Sequence, residues 1–248
     1  MDRIVAFLFG TIVGSFLSVL SDRLPRHEQV VWGRSYCDHC KKLLRWYELV
    51  PIASYLVQGG RCRRCKGKLS FQYPVVECMT GIGFVLITQK FLPPLVSLCV
   101  MVLFCSLLVI TVSDMKYKII PDSMVVSGIV AAGFLLLINN SSTYALYFVS
   151  ALGAAAFFLI LWMATRGCGM GLGDVKLAFL LGLWLGFPYI VIALYLAFLT
   201  GATTGVILIL AQKKTLKSRI PFGPFMILGA ATAAIWSTQA GILWRIFL

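Results

Sequence analysis

Eight long apolar runs, at residues 4 to 20, 74 to 89, 95 to 113, 123 to 138, 144 to 164, 175 to 187, 189 to 211 and 222 to 244, leave this chain little to build a water-soluble surface from. A helix needs roughly 17 to 25 apolar residues to cross the hydrocarbon layer. With 60% hydrophobic and only 12% charged residues, the chain reads as an all-α integral membrane protein of about eight transmembrane helices. The 175 to 187 run is short, ends at Phe187-Pro188, and is the least distinct from its successor. The first run follows Met1-Asp2-Arg3, yet no small-residue cleavage site precedes the charged stretch from Asp22, so it is expected to remain as a helix.

Loop charge orients the helices, because cytoplasmic loops carry the Lys and Arg excess. Placing the N-terminus outside makes 21 to 73, 114 to 122, 166 to 176 and 212 to 221 the inner segments. They hold eleven, two, two and four basic residues, 19 of the 22 in the chain. The net charge of +13 follows from this bias. No basic stripe alternates with stacking aromatics, so direct nucleic-acid binding is not expected; membrane lipid is the expected surrounding. The organisation is a first helix at 1 to 20, a polar cytoplasmic loop at 21 to 73, and a helical bundle at 74 to 248. A loop of that size cannot build a sizeable core unaided.

Its staple is a cysteine cluster. Cys37-x-x-Cys40 and Cys62-x-x-Cys65, separated by 21 residues, have the spacing of a four-cysteine site that closes a tetrahedron around Zn2+. Lys41, Lys42, Arg61, Arg63 and Arg64 offset the charge of four thiolates. A closed four-ligand site is structural. Redox-active dithiols and unrelated free thiols are the alternatives; disulfides do not persist in the cytoplasm. Asp38 and His39 lie inside the first knuckle and are read as exposed, not as ligands. Cys78, Cys99, Cys105 and Cys168 fall in or beside apolar runs, as small buried hydrophobes do.

Beyond Glu77 the chain has three acidic residues, Asp114, Asp122 and Asp174. Asp114 ends the third long run and Asp174 opens the sixth, both at the cytoplasmic face. A carboxylate at membrane depth is costly and marks a functional site by default. Glycines 167, 169, 171 and 173 lead into Asp174 and leave room for an extended substrate strand. Two carboxylates that meet share a proton, so one activates a water while the other polarises a carbonyl. Taken singly, Asp114 is an interfacial charge beside Lys116 or Lys118, and Asp174 a helix N-terminal residue near Lys176. Together, at matched depth, they form a candidate catalytic pair. Asp122, after Pro121, is expected to cap the fourth long helix.

The stretches Gly14-Ser15-Phe16-Leu17, Arg23-Leu24-Pro25, the two cysteine pairs, Tyr73-Pro74-Val75-Val76-Glu77, Ile120-Pro121-Asp122, Gly171-Leu172-Gly173-Asp174-Val175-Lys176-Leu177 and Pro221-Phe222-Gly223-Pro224-Phe225 run in order along nearly the whole chain. In this combination the chain resembles the bacterial type 4 prepilin peptidases. The resemblance implies a cytoplasmic-membrane aspartyl endopeptidase that removes the basic leader of type 4 prepilins and pseudopilins after a glycine, with Asp114 and Asp174 as its pair. It also implies methylation of the new N-terminal residue with S-adenosylmethionine, the four-cysteine loop being typical of such bifunctional members. Glu77 then becomes a candidate contact for S-adenosylmethionine or the substrate amine; a plain charge near the start of a helix opened by Pro74 is the alternative. Ser18 stands where the family pattern has Asn. The short single-loop form suits a competence-type member serving DNA uptake.

Two other functions use the same residues. A transporter would employ the aspartates as ion or proton ligands, but the paired broken helices and two-half symmetry of transporters are absent from the sequence. A thiol redox membrane protein would cycle its Cys-x-x-Cys pairs. Gly10 and Gly14, spaced for close helix contact, serve either internal packing or a substrate helix.

Overall fold

The computed structural model describes residues 2–30, 33, 35–37, 39–90, 92–138, 144–167, 170–212 and 220–247, with side chains through Trp236. Asp38, Cys168, Gly169 and the basic cluster at 213–219 lie outside the described residues. The chain divides into two compact units, Met1–Val109 and Ile110–Leu248. Every apolar run forms a helix: α1 (Arg3–Arg23), α3 (Gln72–Thr88), α4 (Pro94–Tyr117), α5 (Asp122–Ile138), α6 (Tyr144–Ala164), α7 (Leu172–Leu185), α8 (Tyr189–Leu210) and α9 (Gly223–Phe247), with a short α2 (Ala53–Val57) in the polar loop. Among the described residues there are no strands beyond two isolated bridges.

The expected count of eight spans is met only in part. Among the described residues, four helices are long and apolar enough to cross a membrane: Arg3–Arg26, Pro94–Tyr117, Tyr144–Ala164 and Tyr189–Leu210. The apolar helices at Gln72–Thr88, Asp122–Ile138 and Gly223–Trp236 are shorter. At about 1.5 Å per residue, the 14 residues of α7 reach only about 21 Å against a core of about 30 Å. Leu177, Ala178, Leu180 and Leu181 of α7 are wholly buried. Most of this helix is buried against protein neighbours, chiefly α5, α6 and α9.

In the first unit α1 packs on α3 through glycine. A Cβ on Gly10 would stand 2.8 Å from the Gly81 Cα, and one on Gly14 2.8 Å from the Glu77 Cα. Lipid is as apolar as leucine, so such helices associate by close packing and not by hydrophobic burial. The internal-packing reading of Gly10 and Gly14 holds. The outer face of α1 exposes Ile4, Val5, Leu8, Phe9, Ile12 and Phe16. The protein is a membrane protein.

In the second unit Gly182 of α7 meets the α6 backbone, where an added Cβ would fall 2.6 Å from the Ala151 Cα. Gly229 of α9 sits equally close to the Ala193 carbonyl of α8. Phe158, Phe198 and Phe222 form a cluster with ring centroids 5.1 to 6.0 Å apart. Each such pair adds about 0.5–1.5 kcal/mol beyond its burial. Through Phe222 the cluster anchors the segment entering α9, which bears on the site below.

Asp122 does not act as an N-cap. It is the first residue of α5, and its carboxylate lies 2.7 Å from Lys176 Nζ of α7. A cation on the packed neighbour takes the charge that a cap would have given to backbone N–H groups.

Candidate active site and metal centre

The four thiols at 37, 40, 62 and 65 come together, their sulfurs all within 4.8 Å of one another. The Cys37 and Cys65 sulfurs are 3.9 Å apart. Zinc–sulfur bonds of about 2.3 Å put tetrahedral sulfur–sulfur edges at about 3.8 Å, so these residues fit Zn2+. Two matching loops produce the fit. Cys37 N–H donates to the Lys42 carbonyl and Lys41 N–H returns to Cys37; Cys62 N–H donates to Gly67 and Lys66 N–H returns to Cys62. Lys41 and Lys66 both adopt positive φ, 55° and 58°, closing each knuckle. N–H groups of Cys65 and Arg64 hold the Cys62 thiol down to about 6. Burial pushes Cys37 up to about 11. His39 is exposed and its Nε2 lies 3.1 Å from the Lys68 carbonyl, outside the sulfur cluster, as expected. Cys99 is buried, whereas Cys78 and Cys105 are half-buried.

Asp114 and Asp174 line one cavity of about 360 Å³ in the second unit, with Lys118, Ile120, Gly171, Gly173 and Phe222 among its walls. Both carboxylates are buried, and they interact electrostatically. Asp174 is the third residue of α7, and its Oδ2 accepts the Gly171 N–H at 3.0 Å, the reach-back half of a capping box. Asp114 Oδ2 accepts the Gly223 N–H at 2.9 Å. Gly223 opens α9 and Pro224 follows it, so the donor comes from a helix start whose first N–H groups have no partner within the helix. Each aspartate is thus fixed by one backbone N–H. The group that holds Asp114 lies 109 positions away in sequence, so its anchor comes from the tertiary fold.

Gly173 packs on Ile120, where a Cβ would be 3.0 Å from the isoleucine Cβ, so this glycine serves close approach. Gly171 is extended, at φ −90° and ψ 156°. Gly223 is the site residue whose role sequence reading passes over. A Cβ there would lie 2.7 Å from Asp114 Oδ2. Its signal was the glycine between Phe222 and Pro224, a helix start with a small residue at the point of approach.

Glu77 is buried a turn and a half inside α3 and accepts the Ile52 N–H at 2.7 Å through Oε2; the Ser15 side chain also bonds it. Ile52 has φ 61° and ψ −54°, and Ala53 N–H closes back on the Pro51 carbonyl at 2.5 Å. That is a classic γ-turn on a β-branched residue, a conformation costing about 1–3 kcal/mol. Glu77 also lines a cavity of about 170 Å³ in the first unit, with Ser15, Ser18, Asp22, Tyr36, Tyr55 and Tyr73 among its walls. Sequence reading missed Ile52 altogether, since nothing in Val-Pro-Ile-Ala announces a left-handed isoleucine.

Comparison with known proteins accounts for both units. Residues 8–91 match the family model of the bacterial peptidase A24 N-terminal domain, and residues 101–206 that of the type IV leader peptidase family. The chain is 31% identical to a prepilin leader peptidase/N-methyltransferase of Aeromonas hydrophila, covering 94% of this chain and 90% of that protein. It is 31% identical to one of Bacillus subtilis (strain 168), over 94% and 93% of the two chains. A third, from Burkholderia pseudomallei (strain 1026b), is 30% identical over 98% and 88%. No solved structure matches. The chain belongs to the type IV leader peptidase family.

Proposed function

We propose that this protein is a prepilin leader peptidase and N-methyltransferase of the cytoplasmic membrane, an aspartyl endopeptidase in which Asp114 and Asp174 are the catalytic pair. One observation carries the reading: two buried carboxylates, 60 positions apart in sequence, line one cavity with a backbone N–H fixing each. Two close carboxylates cannot both ionise easily, so one keeps a proton. The ionised member takes a proton from a water as its oxygen attacks the scissile carbonyl, while the protonated member donates a hydrogen bond to the carbonyl oxygen. The tetrahedral species then collapses with a proton passing to the leaving nitrogen and the C–N bond breaking. No serine or cysteine nucleophile is required.

The substrates on this reading are type 4 prepilins or pseudopilins, cut after a glycine at the cytoplasmic face, with the N-terminus of the enzyme outside. The positive-inside bias of the loops supports that orientation. The new N-terminal residue is then methylated with S-adenosylmethionine as co-substrate, in line with the names of the relatives. Cys37, Cys40, Cys62 and Cys65 hold a structural Zn2+, which folds the loop and takes no part in either reaction. Service to competence pilins and DNA uptake belongs to the same proposal.

The test is co-expression with a prepilin and mass measurement of its N-terminus. Wild type removes the leader and adds a methyl mass; Asp174→Asn leaves the leader on. A variant at either aspartate that cleaves normally removes the dyad from consideration.

A further inference from the structure

We propose that the polar loop of the first unit binds an anionic phospholipid surface, its exposed apolar side chains entering the interfacial layer and its basic side chains meeting the headgroup phosphates. The height of the loop carries the inference. Glu77 is the sixth residue of α3, about 8 Å along that helix at about 1.5 Å per residue, and its carboxylate accepts the Ile52 N–H at 2.7 Å. Ile52 immediately precedes α2, so this short helix starts beside the first turns of α3 and not out in solvent. A second contact repeats the placement. Tyr55 of α2 meets Phe71 edge-on, with ring centroids 6.3 Å apart, and Phe71 immediately precedes α3.

At Phe71 two exposed apolar surfaces join. Phe71, Val75, Met79 and Ile82 are all exposed and recur at helical spacing along one face of α3. On the loop side Leu56 and Val57 of α2 are 70% and 75% exposed, and Trp46 is 79% exposed. Cations interleave with these side chains. Trp46 lies edge-on to Tyr47 at 5.8 Å, and the Arg63 guanidinium stands over the Tyr47 ring at 5.3 Å. Arg63 in turn borders one shallow recess with Val57, Arg61 and Lys66. Tryptophan with exposed aliphatic side chains and long cationic stems is the composition of a segment lying in a membrane interface.

Charge selects the occupant. From residue 41 to 71 the chain carries eight basic residues and one acid, Glu48, which is buried and accepts the Arg45 N–H. A Zn2+ held by four thiolates would offset two of those charges and leave the surface cationic. Arg61, Arg63, Arg64 and Lys66 are exposed and pair with no carboxylate among the described residues. The basic leader of a prepilin is repelled by such a face, and so is the same face of a second copy. An anionic leaflet offers phosphate to the cations and acyl chain to Trp46, Leu56 and Val57. Because α1 and α3 tether both ends of the loop, binding is intramolecular and needs no recruitment from solution. The identification of the leaflet as the inner one rests on the orientation proposed above.

The experiment places zinc-loaded full-length protein in nanodiscs of phosphatidylcholine, alone or with one part in three of phosphatidylglycerol. The photoreactive residue p-benzoylphenylalanine is introduced at position 46 or 57, and adducts are identified by mass after illumination. The expected result is phospholipid adducts at both positions, with a yield raised about fivefold or more by the anionic lipid and lowered again in about 1 M salt. Leu56→Ser/Val57→Ser should lower the yield at position 46 with zinc retained, which separates lost contact from lost folding. Absence of lipid adducts, equal yields from the two membranes, or adducts to a second chain or an added prepilin in place of lipid overturns the proposal. Both leaflets of a nanodisc have the same composition, so this result is independent of orientation in the cell. The orientation fails by a different observation, cleavage of the loop by trypsin added outside intact spheroplasts.

Discussion

The two candidate sites of this protein are assembled in opposite ways. In the first unit the four thiols come from two short turns of one loop, and each turn is closed by its own backbone hydrogen bonds. In the second, Asp114 lies in the last turn of α4, Asp174 in the first turn of α7, and the donor that fixes Asp114 begins α9. A thiolate cluster needs only correct spacing and a cation, so its geometry is local. A carboxylate pair depends on burial, on its partner and on donors that only the finished fold supplies. A lesion should therefore stay local in the first unit and spread along the helices in the second.

Isosteric replacement of either aspartate is the severest trial of that contrast. Asp114→Asn and Asp174→Asn keep an oxygen for the N–H of Gly223 or Gly171 while removing the acid–base function, so the helices stay in place. Leader cleavage should fall by about 10²–10⁴-fold or more, the usual worth of a general acid or base. Methyl transfer to a pilin supplied already cleaved should persist. Loss of both activities together would mean that the two sites are not separable.

Removing the metal attacks the other unit. Elemental analysis should find one zinc per chain, and Cys62→Ser should abolish it and unfold the loop, since binding energy in such sites is folding energy. The pH sign follows from the thiols. Between about 6 and 11, Cys62 is ionised and Cys37 carries a proton, so zinc displaces one proton from this pair. Below about 6 it must displace two. Affinity therefore falls as pH falls, and more steeply once Cys62 protonates; a competition assay with a coloured chelator across pH 5 to 8 reads that slope.

The contrast also explains what the sequence disclosed. The grouping of the four thiols was legible because the pairs are neighbours in sequence, and the aspartates stood out as candidates because charge is scarce among apolar residues; the structure brings each set together. The helices were legible as apolar runs, and four of them are long and apolar enough to span among the described residues; the others were not separable by composition. α7 has the composition of a span yet is buried by α5, α6 and α9, and no local pattern separates lipid from protein as the apolar neighbour. The roles of Gly223 and Ile52 were not legible for a related reason, although Gly223 stood in a motif stretch. Their function lies in a backbone N–H, which every residue except proline has, and only long-range packing chooses which one points at a carboxylate.

Gly223→Ala probes such a contact with a single methyl group. Its Cβ would press on Asp114 Oδ2 at 2.7 Å, so the carboxylate must shift or the start of α9 must move. A displacement of about 1 Å at a reacting group costs on the order of 10²-fold. Cleavage should drop by about 10–100-fold with the protein still inserted and zinc retained. The matching change in the first unit, Gly14→Val, forces side-chain atoms into the α3 backbone and Thr80, costing about 1–3 kcal/mol of stability. Thermal unfolding followed separately by zinc release and by peptidase loss should show the first unit failing earlier.

The smallest effect is expected at the pair that replaced the anticipated cap. Lys176 Nζ and Asp122 Oδ1 are 2.7 Å apart, but their side chains are 50% and 69% exposed. Water screens such a pair to about 0–1 kcal/mol, less at high salt. Lys176→Gln should leave the thermal midpoint within a few degrees and the zinc content unchanged. Both residues nonetheless line the aspartate cavity and the adjoining apolar groove beside Val125, Val126 and Phe179. If their role is only to join α5 to α7, the substitution moves stability slightly and cleavage hardly at all; a tenfold fall in cleavage with stability intact would make them part of the substrate path, and the second site would then extend further along its helices than its two carboxylates.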